Sequence, residues 1–395
     1  MAAVQPVTLK RAIILVADGV GCGEAPDASA YGDQGANTLG NLAKALGGLH
    51  LPTLERLGLG NTTNILGVAP VADAQALHGQ LIEASQGKDT ITGHWEMAGI
   101  ITRKAMPTYP KGFPREILDP LIAASGRGVL GNKTASGTAI LDELGVEHMR
   151  AGALIVYTSA DSVLQIAAHE SVVPLPELYR ICEAARKIAD EHGIGRVIAR
   201  PFVGQPGAWQ RTYNRKDWPL LPPSTTLLDH VKAAGLPVVG VGKIHDIFAG
   251  QGLTESIHTE GNVDGMEQTL TVMKQVKQGL VFVNLVDFDM LYGHRNDCTG
   301  FQSALETFDR WLARFLALLQ PGDLAFITAD HGNDPTFPGT DHTRERVPLL
   351  AFGPQWRTGD LGNRSSFADL GQTIVSGLGA EPLANGRSFL DMMVR

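Results

Sequence analysis

The chain has 395 residues, of which 44% are apolar, and its 33 basic and 41 acidic residues give a formal net charge of −8. This length exceeds what one hydrophobic core usually serves, so we expect two domains. The acidic balance and the lack of a long basic run argue against nucleic acid or an anionic membrane as the main partner, and they favour a small-molecule substrate.

The cysteines show no paired spacing that would indicate a disulfide framework or a thiolate metal site; they are Cys22, Cys182 and Cys298. The apolar stretch at residues 12–17 runs directly into Asp18 and is interpreted as the first strand, not as a signal peptide. No apolar run approaches the roughly 18 to 20 residues that a membrane span needs. We expect a soluble, cytoplasmic protein with no obligate protein partner.

The densest polar cluster lies at residues 87–97, where Thr90 and Thr92 stand at a predicted helix start. One interpretation is a capping segment, with Asp89 or Thr90 as the N-cap. Another is a hydroxyl nucleophile for phosphoryl transfer, because a nearby metal pair would lower the hydroxyl pKa and helix N–H groups would receive phosphate oxygens. The two interpretations are compatible, and the pattern alone does not choose between the threonines.

A block over residues 101–220 has its own predicted strands, at 153–157 and 196–199, and an amphipathic helix at 178–192. Turn-forming residues flank it on both sides. We interpret it as an inserted α/β cap domain that binds the substrate. The remainder, residues 1–100 and 221–395, is predicted to form a discontinuous metal-binding catalytic core. Alternating strands and helices there predict a mainly parallel central sheet flanked by helices.

Two further buried runs, at residues 280–286 and 324–329, are followed by acids and histidines. Because functional groups gather beyond the carboxyl ends of parallel strands, we expect these residues to form a two-metal site. Asp287 and Asp289 would point to the same face of an extended strand, so periodicity does not choose between them. Taken alone, the polar residues after each strand are also typical of an ordinary turn. The candidate ligands are Asp18, Asp287 or Asp289, His294, Asp330, His331 and His342.

Several motifs together resemble the phosphopentomutases of the alkaline phosphatase superfamily. They include Asp18-Gly19-Val20-Gly21, Lys88-Asp89-Thr90 with Gly93-His94-Trp95-Glu96, Asp287-Phe288-Asp289 with Gly293-His294-Arg295, and Asp330-His331-Gly332 leading to Asp341-His342-Thr343-Arg344-Glu345. The resemblance runs from about residue 10 to near the C-terminus and includes parts of the block at 101–220, in residues 157–163 and 199–202. It implies an alkaline-phosphatase-like core.

The resemblance also implies roles for single residues. Thr90 would be the phosphorylated nucleophile, chosen over Thr92 by its place after Lys88-Asp89. The family's acid-to-histidine spacing selects Asp289, which leaves Asp287 and Thr92 as supporting residues. Mixed carboxylate and imidazole ligands suit manganese or zinc, so the choice of two Mn²⁺ ions rests on the resemblance. The implied metal ligands are Asp18, Thr90, Asp289, His294, Asp330, His331 and His342.

On the substrate side, the resemblance implies interconversion of ribose 1-phosphate and ribose 5-phosphate, and of the 2-deoxy sugars, through a pentose 1,5-bisphosphate. A sugar bisphosphate such as glucose 1,6-bisphosphate or ribose 1,5-bisphosphate would activate the enzyme. The competing interpretations are a metal-dependent phosphatase or phosphodiesterase and a phosphoglycerate mutase of the same superfamily. The implied substrate contacts are Ser159, Asp161, Val163, Arg200, Arg211 and Lys243, with Arg215 as the alternative to Arg211.

Overall fold

The computed structural model describes residues 8–159 and 161–394, and residues 1–7, Ala160 and Arg395 lie outside the described part. The strands, in chain order, are β1 Arg11–Ala17, β2 Leu77–Leu81, β3 Val129–Thr134, β4 Leu154–Thr158, β5 Val163–His169, β6 Arg196–Gln205, β7 Ala208–Arg211, β8 Lys216–Pro219, β9 Val238–Val241, β10 Glu255–Ile257, β11 Gly279–Leu285, β12 Asp323–Thr328, β13 Val347–Phe352 and β14 Gly359–Arg364.

The helices, in chain order, are α1 Ala28–Tyr31, α2 Thr38–Leu46, α3 Pro52–Leu57, α4 Leu59–Thr62, α5 Thr90–Met97, α6 Arg115–Ser125, α7 Ala139–Ala151, α8 Leu175–Glu191, α9 Leu227–Ala233, α10 Ile244–Ile247, α11 Asn262–Gln275, α12 Cys298–Leu316, α13 Ala368–Leu378 and α14 Leu390–Met393. A π-helix over Phe288–Tyr292 and a 3-10 turn over Gly293–Arg295 follow β11. Among the described residues, no helix combines the length and apolar character that crossing a membrane requires.

The chain divides into two compact units. One, which we call the core, consists of the residues up to Lys104 together with those from Pro222 onwards. The other, which we call the insert, is Ala105–Leu221. The roles expected for the two units, catalysis and substrate binding, remain predictions.

Within the described residues, eight strands form the core sheet in the order β10-β9-β11-β1-β12-β13-β2-β14. The five strands from β10 to β12 are mutually parallel, and β13 is antiparallel to both of its neighbours. Val16 of β1 is paired with Asn284 of β11 and with Thr328 of β12, so these three strands end at the same edge. The predicted mainly parallel sheet flanked by helices is therefore confirmed.

The central strands form because their sequences are continuous apolar runs, as expected for parallel strands that are covered on both faces. Every residue of β1, β11 and β12 is buried. An apolar stripe on α12 is buried as well, including Phe301, Leu305 and Phe315. At the end of the α12 to β12 connection, Gly322 has φ of +91°, a conformation that glycine adopts without strain.

The expectation that Asp287 and Asp289 share one face of an extended strand is wrong. Strand β11 ends at Leu285, and the chain then winds into the π-helix, for which Asp287 is the N-cap. The two carboxylates therefore diverge. Asp287 Oδ2 accepts a 2.6 Å hydrogen bond from the backbone N–H of Asn262 and fixes the start of α11, whereas Asp289 lies among histidines.

Within the described part of the insert, five strands are ordered β3-β4-β5-β6-β7, and β8 also pairs with β6. Parallel and antiparallel pairs alternate along this sheet. One apolar cluster joins the sheet to α6 and α8 through residues such as Ile117 and Ile181. A second cluster joins it to α7 through Ile140 and Leu141. The insert therefore has an α/β core of its own.

Candidate metal centre

The ends of β1 and β12 bring Asp18, Asp330 and His331 together, with one potential ligand atom of each within 4.8 Å of the others. His331 Nε2 lies 3.4 Å from Asp18 Oδ1 and 3.4 Å from Asp330 Oδ2. All three side chains are buried. Two carboxylates and an imidazole at this spacing form a ligand set for one divalent cation.

A second group adjoins the first. Asp289, His331 and His342 also place ligand atoms within 4.8 Å of one another. His342 Nε2 lies 3.2 Å from Asp289 Oδ1, and His294 Nε2 lies 3.3 Å from Asp289 Oδ2. The two Nε2 atoms of His294 and His342 are 3.1 Å apart. Because His331 belongs to both groups, the structure places two potential cation sites side by side.

The donor atoms fit metal ions because some of them accept no hydrogen bond. Among the described residues, Asp18 Oδ1 and Asp330 Oδ2 are buried without a hydrogen bond. A buried carboxylate oxygen left without a hydrogen bond is costly, and a cation removes that cost. The mixed oxygen and nitrogen donors suit divalent manganese or zinc. The residues present therefore fit divalent metal ions.

Carbonyl groups set the orientation of two of the imidazoles. His294 Nδ1 lies 2.6 Å from the carbonyl oxygen of Thr340, and His331 Nδ1 lies 3.1 Å from that of Gly332. A ring that donates its Nδ1–H to a carbonyl keeps the lone pair on Nε2. In both residues it is Nε2 that faces the carboxylates, so the rings are held in the tautomer that binds a cation.

Three supporting residues were missed by the sequence analysis. Asn284 donates to Asp18 Oδ2 at 2.8 Å, and Asn333 donates to Asp289 Oδ1 at 2.7 Å. His94 Nδ1 lies 3.2 Å from Asp330 Oδ2. The signal for Asn284 was present, since it is the one amide within the apolar run of β11. Asn333 gave no such signal, and His94 belongs to the motif Gly93-His94-Trp95-Glu96 but was given no role, because only the fold brings the two residues to their partners.

Thr90 is the first residue of α5, and its hydroxyl oxygen lies 3.3 Å from His331 Nε2. Asp89 is the N-cap, and its carboxylate accepts from the N–H groups of Ile91 and Thr92, both at 3.1 Å. These N–H groups are therefore committed to Asp89 and are not the phosphate donors that we expected. The Thr92 hydroxyl donates to the same carboxylate at 2.6 Å, so only Thr90 faces the candidate ligands.

The charged groups in the cluster and their burial shift the pKa values of the three carboxyl groups. Burial raises the pKa of Asp18, and the neighbouring Asp330 raises it further, whereas His331 and Lys243 act in the opposite direction. Burial alone would also raise the pKa of Asp330, but His331 and His94 bring it down to about 2. Despite burial, His342 and His294 hold the pKa of Asp289 well below its usual value. The neighbouring histidines thus offset the cost of burying Asp289 and Asp330.

In the insert, three arginines line an open cavity of about 280 Å³; they are Arg200, Arg211 and Arg215. Arg200 Nε donates to Gln165 at 3.1 Å. Arg215 donates to both oxygens of Asp217 at 2.7 Å each, which offsets its charge.

The other predicted substrate residues lie elsewhere among the described residues. Ser159, Asp161 and Val163 lie at the turn between β4 and β5, outside the lining of that cavity. Lys243 is in the core, at the N-cap of α10, where its charge reaches Asp18.

Comparison with known proteins agrees with this geometry. Residues 10–382 match the metalloenzyme superfamily. A phosphopentomutase of Anaeromyxobacter sp. (strain K) is 56% identical over 387 residues, 98% of this chain and 100% of its own length. A phosphopentomutase of Desulfitobacterium hafniense is 56% identical over 388 residues, again 98% of this chain and 100% of its own.

Among solved structures, a protein of Pyrococcus horikoshii superposes with a TM-score of 0.50 at 14% identity, covering 96% of this chain and 100% of that chain. At this identity the likeness concerns the fold alone. The sequence identities extend over nearly the whole chain, insert included. The chain belongs to the phosphopentomutase family of the metalloenzyme superfamily.

Proposed function

We propose that Thr90 carries a phosphoryl group between the two ends of a pentose, so that ribose 1-phosphate and ribose 5-phosphate are interconverted. Membership of the phosphopentomutase family makes the chain an isomerase, an intramolecular phosphotransferase. One observation carries the proposal for Thr90: its hydroxyl oxygen lies 3.3 Å from Nε2 of His331, which belongs to both ligand groups. A hydroxyl in this position can act as the nucleophile.

We assign one cation to Asp18, Asp330 and His331 and the other to Asp289, His294 and His342, with Thr90 at both. Bound divalent ions, for which we propose Mn²⁺ with Zn²⁺ as the alternative, would supply Lewis acidity that lowers the hydroxyl pKa and stabilises the charge on the transferring phosphoryl group. The chain itself supplies orientation. The N-cap bonds of Asp89 fix the first turn of α5 and with it the Thr90 side chain.

The reaction then consists of two phosphoryl transfers. In the first, the free hydroxyl oxygen of the pentose monophosphate bonds to the phosphorus on Thr90, the bond to Thr90 Oγ1 breaks, and the hydroxyl proton passes to Thr90. In the second, Thr90 Oγ1 bonds to the phosphorus at the other end of the pentose 1,5-bisphosphate, the bond from that phosphorus to the sugar oxygen breaks, and the Thr90 hydroxyl proton passes to the sugar oxygen. No phosphate is consumed. A sugar bisphosphate such as glucose 1,6-bisphosphate or ribose 1,5-bisphosphate phosphorylates Thr90 at the outset.

For the substrate phosphate we propose Arg200 and Arg211, whose planar guanidinium groups suit bidentate contacts with phosphate oxygens. We favour Arg211 over Arg215 because Asp217 already pairs with the latter. Ser159, Asp161 and Val163 would contact the sugar, and Lys243 would add positive charge. We further propose that the enzyme acts in the cytoplasm, on pentose phosphates from nucleoside catabolism, with the 2-deoxy sugars as second substrates.

The test compares wild type with Thr90→Ala and Thr90→Ser, after incubation with Mn²⁺ and a sugar bisphosphate. We expect mass spectrometry to locate phosphate on Thr90 of the wild type. Thr90→Ala should fold and bind Mn²⁺ without phosphoenzyme or isomerisation, and Thr90→Ser should retain both. Phosphate on another residue of active enzyme would overturn the assignment. Release of inorganic phosphate at the rate of substrate loss would instead indicate a phosphatase.

A further inference from the structure

Arg344 is a buried cation two residues after the proposed metal ligand His342. Its Nε and Nη2 atoms donate to the two carboxylate oxygens of Asp27, at 3.1 and 3.0 Å. Nη1 donates to the Glu83 carboxylate and, at 2.7 Å, to the carbonyl oxygen of Gly87. Nη2 also donates to the Glu83 carbonyl oxygen at 2.8 Å. Every N–H group of the guanidinium is therefore used.

A second link runs through Asp33. Its Oδ2 accepts the backbone N–H of Arg344 at 2.7 Å and the Lys88 ammonium at 3.0 Å. Lys88 Nζ is also 3.5 Å from Asp341 Oδ2, one residue before His342. The segment Gly87-Lys88 is thus tied to residues 341–344 through both its backbone and its side chain.

The two segments joined in this way carry different parts of the site. Residues 87 and 88 lead directly into the N-cap of α5 and Thr90. Residues 341–344 contain His342 and are paired with Gly332, next to His331, by backbone hydrogen bonds of 2.8 and 3.2 Å with Thr343. Arg344 therefore lies between the strand-end ligands and the start of the nucleophile helix.

We propose that Arg344 is a positioning residue that holds the Thr90 hydroxyl in register with His342. The inference rests on the proposed role of Thr90. Lysine would not replace it, because an ammonium has three donors and lacks the planar fork that spans two carboxylates and two carbonyls. Since a misplacement of about 1 Å can lower a rate about 100-fold, loss of these contacts should reduce turnover without removing any metal ligand.

Arg11 provides a matched control. It is equally buried, and it pairs with Asp323 through Nε, at 3.0 Å, and Nη2. It also donates to the carbonyl oxygens of Met273 and Val276. Arg11 begins β1, at the end of the strand opposite to the metal groups. A lysine there removes the same kind of buried contacts far from the reaction.

The experiment measures kcat, KM for ribose 5-phosphate, the rate of Thr90 phosphorylation by a sugar bisphosphate, and Mn²⁺ affinity in wild type, Arg344→Lys and Arg11→Lys. We expect kcat and phosphorylation of folded Arg344→Lys to fall about 10- to 100-fold, with KM and Mn²⁺ affinity within about threefold of wild type. Arg11→Lys should lose stability but keep kcat per folded molecule.

The inference is overturned if folded Arg344→Lys keeps wild-type kcat, if Arg11→Lys loses kcat equally, or if Mn²⁺ affinity falls in step with kcat. Should Arg344→Lys fail to fold, Asp27→Asn decides, because Asp27 is exposed and its carboxylate accepts from Nε and Nη2, the contacts that orient the guanidinium plane towards Gly87. We expect a loss of about 3- to 10-fold there, and unchanged kcat would overturn the inference. A wild type without phosphate on Thr90 would instead overturn the proposed function.

Discussion

Gly93 lies directly against the backbone of Asp330. A β-carbon at residue 93 would come 2.1 Å from the carbonyl oxygen of Asp330, closer than two non-bonded atoms can approach. Gly93 is a residue of α5, three positions after Thr90. At this point the helix meets Asp330, two residues beyond the end of β12. The missing side chain therefore allows the nucleophile helix to reach the metal ligands.

The first prediction concerns this contact. Gly93→Ala must displace α5 from β12, so we expect kcat to fall at least about tenfold and the free energy of unfolding to fall by about 1 to 3 kcal/mol. Steady-state kinetics and denaturant unfolding with saturating Mn²⁺ measure both. Gly265→Ala, in α11, is the control, because the atom nearest to its β-carbon would be a Leu285 methyl at 3.3 Å. Wild-type kcat in Gly93→Ala would contradict the prediction.

The second prediction concerns Asn284, which donates to Asp18 Oδ2 and is 3.3 Å from His94 Nε2. Loss of a residue that orients a metal ligand typically weakens metal binding about 10- to 100-fold. We expect that range for Mn²⁺ binding to Asn284→Ala, measured by calorimetric titration of chelator-treated protein. Asn385→Ala, which removes a 2.9 Å bond to the Gly99 carbonyl, is the control. Equal affinity in the two variants would refute this role.

The third prediction separates two neighbouring arginines. Because Asp217 pairs with Arg215, we expect Arg211→Ala to lower kcat/KM for ribose 5-phosphate about 10- to 100-fold, as loss of a charged hydrogen bond does. Arg215→Ala should change it much less. Steady-state kinetics of the two variants, with Mn²⁺ and bisphosphate held constant, decides the matter. The opposite order would assign the phosphate contact to Arg215.

The fourth prediction concerns pH. Burial raises the pKa of Glu345 from 4.5 to about 7, although Thr38, Thr343 and the Gly23 N–H donate to its carboxylate. The folded protein therefore keeps a proton that the unfolded chain loses between these two values. In that window the contribution of Glu345 to the free energy of unfolding falls as pH rises, by about 1.4 kcal/mol per unit.

Glutamine at position 345 removes this titration. Its carbonyl oxygen can accept the two N–H groups, and its amide can donate to the threonine hydroxyls. As pH rises from 5 to 8, the free energy of unfolding of Glu345→Gln should increase by roughly 2 to 3 kcal/mol relative to that of wild type. Denaturant unfolding of both proteins with chelator measures this difference, in which the other titrating groups cancel. A difference that stays constant across this range would contradict the prediction.

The sequence by itself determined the fold class and the kind of chemistry. Continuous apolar runs such as residues 280–285 predict parallel strands that are covered on both faces. Acids directly beyond these runs predict a metal site at the carboxyl edge of the sheet. These patterns are local, and a local pattern suffices because each run fixes its own strand. The choice of Asp289 over Asp287 came from family resemblance, and the expectation that the two acids share one face of an extended strand was wrong.

Tertiary structure decided which side chains meet. It turned Asp287 towards α11, committed the first N–H groups of α5 to Asp89, and showed that Arg344 reaches back to Gly87. It also brought Asn333 and His94 to the ligand carboxylates. The contact of Arg344 with Gly87 joins residues 257 positions apart, and its geometry depends on the packing of whole elements. Periodicity along the chain does not predict such a contact.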